Sequence, residues 1–172
     1  MNMAPIRKPT LKDDEINSPS RSNASSLEKI STFTPLILWI AAIFFMSSDQ
    51  GSMPATSRII RPLLEFLFSA SPEESLQFYH FLIRKSAHFT AYAILALLAI
   101  RAFRRSDKRI GGAILSLVLV LIVACLDEIN QSFNSNRSGS IYDVLLDLVG
   151  GIFAISVVLI LTRKKLSSSP AE

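Results

Sequence analysis

The apolar residues of this chain come in blocks long enough to cross a membrane, and that constrains its fold more than anything else in the sequence. Ile110–Leu126 and Val144–Leu161 are two such blocks. Between and into them runs the stretch Asp127–Asp147. It holds three acids (Asp127, Glu128, Asp143), a fourth one helical turn further on (Asp147), an amide pair (Asn130, Gln131) and one arginine, Arg137. Apolar residues in blocks, without a helical or strand period, read as membrane spans. A hydrophobic content of 49% and a mean hydropathy of +0.38 agree with this. The expected fold is an all-α polytopic membrane protein with four transmembrane helices, and with amphipathic interfacial helices between the first and second.

Taken in order, residues 1–29 are polar and Ser-rich, with Pro5, Pro9 and Pro19. Such a segment buries too little apolar surface to offset its ordering entropy, so a disordered cytoplasmic tail is expected. No apolar stretch follows its charges before Ile30, which excludes a signal peptide. Ile30–Met46 is the first span, with Pro35 tolerated in its first turns. Thr56–Lys85 mixes Ile59, Ile60, Leu63 and Leu64 with Arg58, Arg61 and Glu65. It then offers a helix start, with Ser71 as N-cap, Pro72 at the first helical position and Glu74 two residues later. Charges recur too often there for a span, so two short amphipathic pieces lying in the interface are expected. Ala87–Phe103 is the second span, Ile110–Leu126 the third and Ile141–Leu161 the fourth. The domain plan is a tail over 1–29, a four-helix membrane domain over 30–165 and a short tail over 166–172.

The net charge of +4 follows membrane topology. The basic residues flank the spans, and no nucleic-acid motif uses them, so no nucleic-acid partner is expected. The segment before the first span, the loop Arg104–Arg109 and the C-terminus are basic, whereas the loop after the third span has only Arg137. The positive-inside rule then puts both termini in the cytoplasm and residues 47–86 and 127–140 outside. The one cysteine, Cys125, excludes an intrachain disulfide.

With this topology, four polar groups meet at one membrane face: Ser47–Gln50, then Lys85, His88 and Tyr92, then Asp127, Glu128 and Gln131, then Asp143 and Asp147. Lys85, His88 and Tyr92 are three and four apart, so they share a helix face. Asp143, Asp147, Gly150 or Gly151 and Ala154 share another, polar above and small below, which suits close helix packing. Asp147 lies about 6 Å deeper than Asp143 and needs a partner such as Lys85, His88 or Arg137. A carboxylate–His–Lys cluster at headgroup depth can supply an acid, a base and an anion-binding cation. Glu128 or Asp127 is the candidate base with His88 as its partner, and Lys85 and Arg137 suit a phosphate. Tyr92, Gln131, Asp143, Asp147, Ser48 and Asp49 are the further candidates for binding substrate. Only Ser47 and Ser48 offer a nucleophile. No cofactor is expected. The four acids are hard oxygen donors that suit a divalent cation, but their spacing matches no dedicated metal motif. Taken singly, Tyr92 also suits an aromatic belt, and Gly150 and Gly151 suit packing.

These residues carry a resemblance. SSDQ at the end of the first span, RKSAHFTAYAILALL in the second and DEINQSFNSNRSGSIYDVLLDLVGG into the fourth resemble, in this order, the VanZ-like family, over roughly residues 33–162. The resemblance implies a multi-spanning protein of the bacterial inner membrane, in a family whose founding member is linked to low-level resistance to the glycopeptide teicoplanin. It implies no established reaction. Three positions depart from the family's habit: Asn130 where His is common, Ser135–Asn136 where Pro-Gly is usual, and Asp147 where Asn is frequent. With the polar face, it points to cell-envelope lipid or glycan metabolism or glycopeptide resistance. The partners expected are the bilayer, a lipid-linked envelope precursor or a glycopeptide. Further copies of the chain or an envelope-synthesis complex are also expected partners. The alternative is binding, translocation or assembly without chemistry.

Overall fold

The computed structural model describes residues 21–48, 53–103, 109–133 and 139–167. The described residues form five helices: α1 (Arg21–Ser47), α2 (Met53–Leu67), α3 (Glu73–Phe103), α4 (Arg109–Ser132) and α5 (Ile141–Ser167). Four helical stretches are long and apolar enough to cross a membrane: Ile30–Ser47, Glu73–Phe103, Ile110–Ser132 and Ile141–Arg163. This is the all-α, four-span fold that the apolar blocks imply. Helix α1 begins at Arg21, inside the stretch expected to be a tail, and residues 1–20 lie outside the described residues.

One expectation is corrected. Of the two interfacial pieces between the first and second spans, only α2 is separate. The second piece runs without a break into the span, making α3 a single helix of 31 residues, or about 46 Å. The start is legible in the turn: the amide of Leu76 donates to the carbonyl of Pro72, so Pro72 accepts the first bond of the helix, one residue after the expected cap. Glu73 and Glu74 in the first turn then complement the helix dipole. Lys85 reaches Asp143 at the start of α5. Residues 73–84 therefore extend about 18 Å beyond that level, and α2 rests on this extension. Arg61 of α2 bonds Glu65 at 2.8 Å and Glu73 of α3 at 2.7 Å. On the other side of α2, Ile59, Leu63 and Phe66 are exposed at the spacing of one helix face, as an interfacial helix requires.

The spans pack with small residues inside and large ones out. Ala96, Ala99, Ala124 and Ala154 are buried with Tyr92, Leu95 and Val120, whereas Phe45, Ile114, Leu121, Phe153 and Ile160 are exposed. Lipid is as apolar as leucine, so large side chains lose nothing by facing it, and small ones let backbones approach. The most extensive contact joins α3 to α5, and Gly150 sets its closeness. A Cβ at Gly150 would lie 2.5 Å from the carbonyl oxygen of Phe89. Helix α1 is tied in by Trp39, whose indole N–H donates to the carbonyl of Ala91 at 2.9 Å.

Candidate functional site

Helices α3 and α5 run in the same direction, and their polar residues meet rung by rung. Lys85 pairs with Asp143 and lies over the ring of Phe81. One turn deeper, His88 Nδ1 stands 3.5 Å from Asp147 Oδ1, an ion-pair distance without hydrogen-bond geometry. Below that, Phe89 meets Gly150 and the ring of Phe153. The spacing of three or four residues on each helix keeps both strips facing one another.

Helix α4 supplies the other side. Asp127 is 1% exposed, and its Oδ2 accepts two hydrogen bonds, from the Tyr92 hydroxyl at 3.1 Å and the Gln131 amide at 3.1 Å. Tyr92 is thus a buried donor to a carboxylate rather than a residue of an aromatic belt. Asp147, fully buried, lies across from it, and donor atoms of His88, Asp127 and Asp147 all fall within 4.8 Å of one another. These three could together hold a metal ion. Among the described residues, Asp127 Oδ1 and both oxygens of Asp147 find no hydrogen-bond partner.

Glu128 does something other than the pairing expected of it. Its Oε2 accepts the backbone N–H of Ser140 at 2.7 Å, just ahead of α5. The first amides of a helix lack intrahelical partners and carry partial positive charge, so a carboxylate there holds the helix start. Gly139 is part of this fit, since a Cβ on it would lie 2.7 Å from the Glu128 carbonyl oxygen. His88 therefore has Asp147 and Asp127, not Glu128, as its acids. Glu128 Oε1 is buried and has no hydrogen-bond partner among the described residues.

Of the remaining candidates, Ser48 turns back on its own helix, its hydroxyl donating to the carbonyl of Phe45 at 2.6 Å, and stays out of the cluster. Ser47 is buried and accepts a bond from the Asn130 amide at 3.5 Å, which joins α1 to α4. Asp49 and Arg137 lie outside the described residues, as do Ser135 and Asn136.

A cleft of about 290 Å³ opens onto this cluster. Its lining is apolar at Ile43, Met46, Ile60, Ile83, Ala87 and Ala91 and polar at Ser47, Thr56, Arg84, His88, Tyr92 and Asp127. Sequence reading missed Thr56 and Arg84 of this lining and, next to them, His80, which lines a separate cleft. His80 is buried, its Nε2 3.2 Å from the Thr56 hydroxyl, which also accepts a 3.5 Å bond from Arg84. The signal was present: His80, Arg84, His88 and Tyr92 recur every four residues, which is one face of one helix. Splitting α3 hid it.

The VanZ/LLP1 family model matches residues 32–162. The chain belongs to the VanZ/LLP1 family. The matched region takes in the second and third spans whole, all but the outermost residues of the first and fourth, and every residue of the cluster. No curated protein and no solved structure matches the chain.

Proposed function

We propose that this VanZ/LLP1 protein takes the headgroup of a lipid or lipid-linked precursor of the cell envelope at the outer face of the bacterial inner membrane. Both termini then lie in the cytoplasm. The observation that carries this reading is the cleft, whose lining combines apolar side chains such as Ile43, Met46 and Ile60 with polar ones that include Asp127 and His88. An amphiphile has the same combination, with a chain that gains from apolar burial and a head that needs polar partners. Asp127 is the candidate base. His88 is its neighbour, and Lys85 is a cation at the rim for an anionic head. Glycopeptide resistance, in this reading, is a consequence of an altered envelope precursor.

The test is a lipid and lipid-linked glycan profile of cells lacking the protein, complemented with wild type or Asp127→Asn at matched abundance. A species restored only by wild type supports the proposal. Three indistinguishable profiles would remove it and leave an assembly role. A precursor that is bound by the purified protein and returned unchanged would make the site one of binding or translocation.

A further inference from the structure

We infer that His88, Asp127 and Asp147 form a binding site for a divalent transition-metal ion, with zinc as the reference ion. Two features of the geometry say so beyond the gathering of the residues. First, Asp147 is fully buried, and neither of its oxygens has a hydrogen-bond partner among the described residues. A bare carboxylate in such surroundings is strongly destabilising unless a cation meets it. His88 is at 3.5 Å and is itself part of the set. Second, Asp127 is oriented as a ligand. Tyr92 and Gln131 both bond Oδ2, and this fixes the carboxylate while leaving Oδ1 without a hydrogen-bond partner among the described residues. Hydrogen bonds to the far atom of a ligand are how proteins set the near one for a metal.

The distances fit with a small adjustment. Oxygen and nitrogen donors bind zinc at about 2.0–2.2 Å, so two donors on one ion lie no more than about 4.4 Å apart. The three donor atoms already lie within 4.8 Å of one another. One imidazole with two carboxylates suits zinc or manganese better than magnesium or calcium, which prefer oxygen alone. Three protein ligands leave a coordination position open, as in catalytic rather than structural sites. Asp127 and His88 both line the cleft, which gives an ion access to the site. The inference concerns the same cluster as the lipid reading but does not rest on it. Metal content is read without any substrate, and either can fail alone.

The experiment uses the tag-free full chain in lipid nanodiscs, stripped with chelator and dialysed against Zn²⁺. Bound metal per chain is then measured by mass spectrometry. Wild type and Glu65→Gln, a surface control on α2, should hold about one Zn²⁺ each. Asp127→Asn, Asp147→Asn and His88→Gln should each bind at least about tenfold more weakly. Wild type holding no more Zn²⁺ than Asp147→Asn, or all three variants holding as much as wild type, would overturn the site. A reading that needs no variant covers the case of misfolding: the wild-type chain loaded with Co²⁺ should show visible d–d bands that Zn²⁺ abolishes. A spectrum without such bands would overturn the site equally.

Discussion

Lys85 and His88 each face an acid on α5, and the two pairs differ in exposure. The Lys85 and Asp143 side chains keep 28% and 19% of their accessible surface, whereas Asp147 keeps none. A partly wet pair should contribute more than the roughly 0–1 kcal/mol of a surface ion pair and less than the roughly 3–5 kcal/mol lost on breaking a buried one. Lys85→Asp sets a second carboxylate against Asp143 and should lower stability by about 1–3 kcal/mol. Asp143→Lys should do the same, and the exchanged pair Lys85→Asp with Asp143→Lys should recover at least half of the loss. Thermal unfolding of the four proteins in one detergent checks this as a double-mutant cycle. A double variant as unstable as the two single ones combined would mean that the two residues stabilise independently. Lys85, His88, Asp143 and Asp147 were legible in the sequence, because an acid inside an apolar run and two bases one turn apart stand out. The sequence did not tell which base meets which acid. That depends on how far α3 is rotated and shifted against α5, which is set by packing below the cluster.

At the scale of the helices, the packing position that sets this register is Gly150. Its missing Cβ lets the Phe89 carbonyl of α3 sit where a side chain would be, at 2.5 Å. The atom in the way is backbone, so no rotamer change relieves it. Gly150→Ala must therefore push α3 from α5, at a cost of about 1–3 kcal/mol. It should also separate His88 from Asp147, one rung away, so both thermal stability and Zn²⁺ retention should fall. Gly151→Ala is the comparison. Its Cβ would meet only Val120 side-chain carbons, at 3.0 and 3.4 Å, and a side chain can yield. It should fall less in both measurements, and equal losses would remove Gly150 from its special position. The spans themselves were legible because hydropathy reports what lipid covers. It does not report where a helix stops, and that is why α3 was divided. Nothing in Arg84-Lys85-Ser86-Ala87 breaks a helix, since there is neither Gly nor Pro. The charges there ended the apolar run, while the backbone hydrogen bonds continued. A breaker was present earlier, at Pro72, and the helix does begin there.

For the whole molecule, the question is which side of the membrane the cleft faces. Helix–helix contacts are the same in either orientation, so the answer rests on charge. In the sequence Arg101, Arg104, Arg105, Lys108 and Arg109 cluster between the second and third apolar blocks, and Arg163, Lys164 and Lys165 follow the fourth. Basic residues near span ends are retained in the cytoplasm. On the proposed reading the ends carrying the cluster lie outside, and α2 lies along the outer leaflet. The test is labelling of single cysteines in intact cells by a membrane-impermeant maleimide. The native Cys125 is first replaced by alanine, which removes a thiol exposed on α4. Ala70→Cys, in the exposed turn between α2 and α3, should react in intact cells. Ser31→Cys, at the exposed start of the first span, should react only after permeabilisation. The reverse pattern would put the cleft in the cytoplasm, and the envelope reading would fail with it. The metal site would survive that result, because its three ligands are held by α3, α4 and α5 whichever way the bundle is inserted.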